Sequence, residues 1–237
     1  MDTIIQVLTP PVVFIVGLVV RALLAILVLA AIVVPIAAIM MAATWAMRGI
    51  DRLTGVQKVG HVRWRRGCYY TPGHLWLRAR GEESVRIGVD DVAQRVLPEI
   101  AQVRLPASGE VLARGAVIGS ITCADGTVVL RTPVAGTVEA VNHRLVKTPS
   151  LLHRDPYRRA WLVEMKPTGR DYQALPSDDR AREWIAKEDR RLTEFLEHQL
   201  GVAAADGGEL MVPPHRLLTP SQWEAVREGF LGLGPGA

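Results

Sequence analysis

Side chains able to do chemistry are few in this 237-residue chain, and they are scattered. Cys68 and Cys123 are its two thiols, too few for a disulfide framework and in keeping with a reducing compartment. The surroundings of Cys123 in the sequence favour a structural role over redox chemistry, since a reactive thiolate needs a cation or helix terminus beside it. His61, Cys68 and His74 form no pair at metal-ligand spacing, so no zinc site is expected. His143 and His153 flank Lys147 without a nucleophile to serve, and Lys147 reads as a solvated surface lysine. The chain has no G-x-G-x-x-G, P-loop, G-x-S-x-G or H-E-x-x-H motif. Neither an enzyme nor a cofactor or metal site is expected from this inventory. Arg63-Trp64-Arg65-Arg66 would suit single-stranded nucleic acid in a soluble protein. A net charge of +4 is modest, however, and no nucleic-acid partner is expected.

The elements around these residues explain the basic run differently. From Thr3 to Met47 only Arg21 is charged, and the stretch Ala22–Met47 is almost wholly aliphatic. About 20 apolar residues cross a hydrocarbon core. A secretory signal would be shorter and would end in small residues, whereas this tract ends in Trp45 followed by Arg48. The reading is an outer or interfacial segment over 1–21, a single transmembrane helix over 22–47 bent at Pro35, and a basic juxtamembrane segment over 48–67. Arg48, Arg52, Lys58, Arg63, Arg65 and Arg66 oppose only Asp51 there. The positive-inside rule then places Met1 outside and the carboxy-terminal part in the cytoplasm, at an inner (cytoplasmic) bacterial membrane. Arg21, Trp45, Arg48 and Arg52 are the expected anchor and interface residues, with membrane lipids as partners. Arg21 either snorkels at the outer interface or lies deeper against a partner subunit or anionic lipid. Arg63, Trp64, Arg65 and Arg66 are expected to face lipid or another subunit.

Beyond the collar the period changes to two. Leu75–Leu77 and Ser84–Val89 predict a hairpin turning at Gly81–Glu83. Asp90 or Asp91 is set to cap a short helix that Pro98 stops. Pro106-Ala107-Ser108-Gly109-Glu110-Val111 then recurs as Pro133-Val134-Ala135-Gly136-Thr137-Val138, each Gly at a turn and each Val expected to face a core. Two similar halves packed as a sandwich or flattened barrel follow. Asp155-Pro156-Tyr157 reads as a turn, with Tyr157 and Trp161 as core. In the tail, a helix over Asp178–Leu200 with Ser177 as N-cap carries Trp184, Ile185, Leu192, Phe195, Leu196 and Leu200 in a stripe broken by Glu188. A linker over 201–218 precedes a second short helix opened by Thr219-Pro220 and bearing Trp223, Val226 and Phe230. That helix either packs in cis or docks on a neighbouring subunit through Trp223.

Tyr70-Thr71-Pro72-Gly73-His74-Leu75-Trp76-Leu77-Arg78 resembles the opening signature of the glycine cleavage system H protein family, and Gly88-Val89-Asp90-Asp91-Val92-Ala93-Gln94 its next one. Pro133–Gly136, Val141–Leu145, Pro149–Tyr157 and Trp161-Leu162 continue the match in order, from Tyr69 to Thr168. The resemblance implies a mainly-β, lipoyl-domain-like flattened barrel-sandwich (α+β) over 68–168. Joined to the readings on either side, the expected architecture is one transmembrane helix, this domain, an amphipathic helix over 169–200, and a linker with a short docking helix over 201–237. The resemblance also implies a lipoyl-bearing lysine at a hairpin tip, eight residues before the Pro of the Pro-Val-x-Gly turn. Counting back from Pro133 reaches Asp125, and no lysine lies between Lys58 and Lys147. A carboxylate cannot form the amide. The expectation is therefore a non-lipoylated, membrane-anchored accessory subunit that stabilises or scaffolds a larger energy-transducing membrane complex. The alternatives are a tethered carrier modified elsewhere, or an assembly factor.

Overall fold

The computed structural model describes residues 18–42, 55–124, 126–200 and 218–231, excluding the side chains of Gln199 and Leu200. It divides into two units, Met1–Leu53 and Thr54–Ala237. In the first, helix α1 runs over Leu18–Ala42, 25 residues with exposed apolar side chains. At 1.5 Å per residue it is about 37 Å long, enough to cross a membrane. Among the described residues the helix runs unbroken through both Arg21 and Pro35. Trp45, Arg48 and Arg52, the other expected anchor residues, lie outside the described residues.

The second unit is built on two larger sheets. Strands β3 (Tyr69–Tyr70), β4 (Leu75–Arg80), β5 (Ser84–Val89), β7 (Val111–Leu112), β10 (Gly136–Val141) and β11 (Trp161–Pro167) form a six-stranded sheet ordered β3-β4-β5-β11-β10-β7. Strands β6 (Ile100–Arg104), β8 (Val117–Cys123) and β9 (Gly126–Arg131) form a three-stranded sheet ordered β6-β8-β9. Leu75, Leu77, Val85, Ile87 and Met165 from the first sheet join Val103, Ile118, Ile121, Val128 and Leu130 from the second in one apolar cluster. Alternation along each strand produces this, because successive side chains point to opposite faces. The β4–β5 hairpin forms as its period predicts, with Gly81 in the left-handed region at φ +64°.

The two copies of the repeat hydrogen-bond to each other. Gly136 pairs with Leu112 and Thr137 with Val111, while the Gly109 N–H donates to the Val138 carbonyl at 2.7 Å and Val138 N–H to the Glu110 carbonyl at 2.9 Å. Gly136 is required by space: a Cβ there would stand 2.3 Å from the Lys166 carbonyl oxygen. The expectation that both valines face a core holds for Val138, which is fully buried, and fails for Val111, 75% exposed at the short sheet edge.

Helix α2 (Asp91–Val96) is capped by Asp90, whose carboxylate accepts from Ala93 N–H at 3.0 Å. Two short helices, α3 (His143–Lys147) and α4 (Leu151–Arg154), follow β10. Helix α5 spans Asp178–Leu200, and α6 spans Pro220–Val226, continuing as one π-type turn over Arg227–Leu231. Thr219 and Gln222 close a reciprocal capping box around Pro220, which fits the first helical position because its missing N–H would have no intrahelical partner.

The collar differs from expectation. A third, two-stranded sheet of β1 (Val56–Val59) and β2 (Val62–Arg65) is a hairpin folded onto this unit. Trp64 has no solvent exposure and packs in a second apolar cluster with Val62, Tyr70, Trp76, Val92, Tyr157, Ile185, Leu196 and Phe230. What reads in sequence as a lipid-facing basic run is, from Val56 to Arg65, a strand pair sitting over α2 and α5 with its apolar alternate residues inward.

Candidate functional site: the β8–β9 hairpin tip and its cover

Strands β8 and β9 pair down to Thr122 with Thr127 and Cys123 with Gly126, and the Thr122 and Thr127 hydroxyls approach at 3.2 Å. This tip is where the family resemblance calls for a lysine. Asp125 itself lies outside the described residues, but its neighbours are in place. Cys123 is buried, with its sulfur 4.0 Å from the Pro98 carbonyl oxygen. Gly126 has φ +148°. A Cβ on it would lie 3.2 Å from Cζ3 and 3.7 Å from Cη2 of Trp223. The indole of Trp223 thus packs directly against the tip, 1% exposed, and its Nε1–H donates to the Val96 carbonyl at 3.1 Å. That bond satisfies a carbonyl near the end of α2.

Trp223 is therefore not an exposed partner contact, and the tail helix packs in cis. Val226 and Phe230 are buried with it. Phe230 stands edge-on to Phe195 of α5 at 5.4 Å between centroids, under the guanidinium of Arg191 at 4.6 Å, and Arg191 also donates to the Gly229 carbonyl at 3.0 Å. A helix that buries Trp, Val and Phe along one side needs an apolar surface opposite it, and this chain supplies its own.

The signature residues that carry the resemblance are structural here. Thr71 Oγ1 accepts from Leu75 N–H at 3.1 Å, and His74 adopts φ +56°. His74 Nδ1 lies 3.1 Å from Asp90 Oδ2, both residues buried. Burial pulls the His74 pKa down, but the charge and hydrogen bond of Asp90 outweigh it, and the net shift is upward. The His74 ring lies 5.8 Å from that of Trp184 and 6.3 Å from that of Phe230, so it joins the parent domain to both tail helices. Its Nε2 is buried without a hydrogen-bond partner. Trp76 Nε1–H donates to Val89 O at 3.0 Å, and a Cβ on Gly88 would strike its ring at 2.5 Å.

The other expected contact residues are also engaged within the chain. Asp91 accepts from Arg63 N–H at 2.7 Å, Nη2 at 2.7 Å and Nε at 3.1 Å. Arg65 Nη1 donates to the Tyr157 carbonyl at 2.6 Å. Arg66 stays exposed, 3.6 Å from an exposed Asp179. Trp64 is interior. Asp189 of α5, which sequence reading passed over, ties three elements together. Its carboxylate accepts from His61 N–H at 3.0 Å and from Arg95 Nη1 at 2.9 Å, with His61 Nδ1 at 3.2 Å. A buried carboxylate needs such partners, and its only sequence signal is an acid on the stripe side of the helix.

None of this is catalytic geometry. Burial pushes the Cys68 thiol up to about 12, despite the opposing charges of Arg65 and Arg78, so it is held as a neutral thiol. Cys68 and Cys123 are both buried. Among the described residues no group of three His, Cys, Asp or Glu side chains could hold a metal ion.

The profile of the glycine cleavage H-protein family matches residues 68–189, more than half of the chain. The glycine cleavage system H protein of Mycobacterium bovis (strain BCG / Pasteur 1173P2) is 36% identical over 109 residues, covering 46% of this chain and 81% of that protein. The H protein of Legionella pneumophila (strain Corby) is 36% identical over 120 residues, covering 50% of this chain and 95% of that protein. A crystal structure of the H protein from Mycobacterium marinum aligns at 30% identity and a TM-score of 0.42, covering 45% of this chain and 87% of that one. The match starts after the β1–β2 hairpin and ends inside α5, leaving α1, the hairpin and the tail as additions. On these residues the chain belongs to the glycine cleavage H-protein family.

Proposed function

We propose that this chain is a non-lipoylated, non-catalytic member of its family that serves as a membrane-anchored accessory subunit, stabilising or scaffolding a larger membrane complex. The observation that carries the reading is the state of the hairpin tip. Asp125 stands where the family resemblance calls for an amide-forming lysine, and Trp223 of the chain's own tail packs on the adjoining Gly126. A carrier arm needs an amine, which Asp125 lacks, and room beside the hairpin, where Trp223 already packs on Gly126. The apolar 25-residue α1 supports attachment to a bilayer. An energy-transducing assembly, with the folded unit on the cytoplasmic side of an inner membrane, is the setting this reading favours. Purification of the full chain in mild detergent, followed by mass spectrometry, tests it. A stoichiometric set of membrane-complex subunits is the expected outcome, and a solitary monomer overturns it.

A second reading, a tethered lipoyl or acyl carrier, is favoured by the name of the relatives, glycine cleavage system H protein. Intact-mass measurement separates the two: an unmodified chain supports the subunit, an acyl adduct the carrier. An assembly factor, the third possibility, would be missing from the finished complex.

A further inference from the structure

Between β10 and β11 the chain leaves the six-stranded sheet and returns to it as a closed loop. Asn142 ties the two ends together. Its N–H donates to the Leu162 carbonyl at 3.0 Å, and its side-chain amide donates to the carbonyls of Arg159 and Trp161, both at 2.7 Å. Successive turns fill the loop: Thr148 N–H donates to the Arg144 carbonyl at 2.9 Å, Asp155 N–H to that of Leu151 at 3.0 Å, and Arg159 N–H to that of Asp155 at 3.2 Å. Leu145, Leu151, Leu152, Pro156, Tyr157 and Ala160 are buried beneath it.

With the apolar side chains inward, the outward side is basic. Arg144, Lys147, Arg154, Arg158 and Arg159 are all exposed, and Asp155 is the one acid over 143–160. The excess of this loop equals the net charge of the whole chain, +4, so the rest of the sequence is balanced and the loop is not. Among the described residues Asp155 reaches only Arg159, at 3.8 Å, and Arg144, Lys147, Arg154 and Arg158 have no carboxylate within ion-pair distance. Like charges crowded on one compact surface repel, and a counter-charge from outside relieves them.

The kind of counter-charge follows from what the loop lacks. Val146, 40% exposed, is its one exposed large apolar side chain. A folded protein partner calls for an apolar centre to the interface, whereas an anionic bilayer attracts cations lying near its surface without one. Nor does a hydrogen bond within the described residues fix the direction of Arg144, Lys147, Arg154 or Arg158. Long, unfixed cations suit a spread of headgroups better than a single anion.

We propose that the loop over 143–159 is a binding surface for the anionic headgroups of a phospholipid bilayer. The proposal rests on the attachment of α1 to a bilayer given above and adds a second, electrostatic contact to it.

The test uses the full chain in nanodiscs of phosphatidylcholine, without and with phosphatidylglycerol, carrying an environment-sensitive fluorophore on Val146→Cys. Cys68 and Cys123 are buried and do not compete for the label. Phosphatidylglycerol should shift the emission to the blue. Raising salt from about 0.1 M to about 1 M, where the screening length falls from about 10 Å to about 3 Å, should reverse the shift. Arg154→Gln/Arg158→Gln, referred to its own emission in phosphatidylcholine, should weaken the engagement about tenfold or more as the phosphatidylglycerol fraction is raised. Arg182→Gln/Lys187→Gln on α5 removes the same charge from exposed positions elsewhere and should leave the engagement unchanged. Equal weakening by the two pairs, or an emission indifferent to phosphatidylglycerol, overturns the proposal and leaves the anchor standing. A chain that does not enter the nanodiscs overturns the anchor and the proposal together. A shift produced by polyglutamate and not by phosphatidylglycerol assigns the loop to an acidic protein and overturns the lipid reading.

Discussion

Replacement of Trp223 by alanine probes whether the tail is bound as tightly as its packing implies. The indole is almost wholly interior, lies against Gly126 and donates to Val96 O. Truncating a buried Trp to Ala costs about 3–5 kcal/mol, cavity included. The carbonyl left behind on Val96 contributes about 1 kcal/mol of that. The measured loss has a ceiling, because residues 218–231 can undock while the sheets stay folded. Once the variant loses more than the docking free energy of the tail, the tail simply leaves. The expected result is therefore a loss of up to about 3 kcal/mol in urea unfolding. Amide exchange over residues 220–231 should rise toward that of an unfolded chain, and exchange around Gly126 should rise with it. Trp223→Phe, which keeps a ring but loses the donor, should cost about 1–2 kcal/mol and leave the tail docked. A Trp223→Ala protein that costs less than about 0.5 kcal/mol and keeps slow exchange over 220–231 would refute the cover at the hairpin tip.

Three further outcomes follow from other contacts. Asp189→Asn removes the charge that Arg95 and His61 share, so urea unfolding should show a loss of roughly 3 kcal/mol, as when one partner of a buried pair is removed; an unchanged midpoint would mean the hairpin is held by apolar contact alone. The raised His74 pKa adds stability that is complete below its ordinary value of 6.5 and is lost as pH rises through the folded-state value. Midpoints of the parent chain should fall relative to His74→Gln between pH 5.5 and pH 8.5, and parallel profiles would remove His74 from the account. In the repeat, Val138→Ala should cost about 1.5–2.5 kcal/mol and Val111→Ala less than about 0.5 kcal/mol by thermal unfolding; equal costs would contradict their opposite burial.

Local patterning made much of this molecule legible. The period of two over Leu75–Val89, the turn glycine Gly81 and a helix cap at Asp90 or Asp91, which the structure resolves to Asp90, each depend on neighbours a few residues away. All three form as the sequence predicts. The repeat announced a paired sandwich, though not that Val111 would fall at an exposed edge, because edge placement depends on where a strand ends in the sheet. The outward-facing reading failed at Trp64 for a related reason. Alternating Arg and apolar residues suit a lipid surface and a half-buried strand equally well, and only the distant partners Asp91, Tyr157 and Asp189 decide between them. At the candidate site, the absence of any lysine between Lys58 and Lys147 was visible in the sequence, whereas the Trp223 cover was not. A short amphipathic helix does not declare which apolar surface it will meet when that surface is 97 positions away at Gly126.

The long separations bridged around the two apolar clusters also bear on synthesis. His61 meets Asp189 across 128 positions, and Trp223 meets Val96 across 127. At ribosomal rates of about 5–20 residues per second, the interval between making His61 and Asp189 is roughly 6–26 s. During it Trp64 and Trp76 lack their cover, since the buried residues of α5 and α6 have yet to emerge. The β4–β5 hairpin and the central sheets, whose contacts are more local, can form in that time. The nascent chain thus passes through a stage with its central strands paired and its aromatic face open, the species most in need of a chaperone.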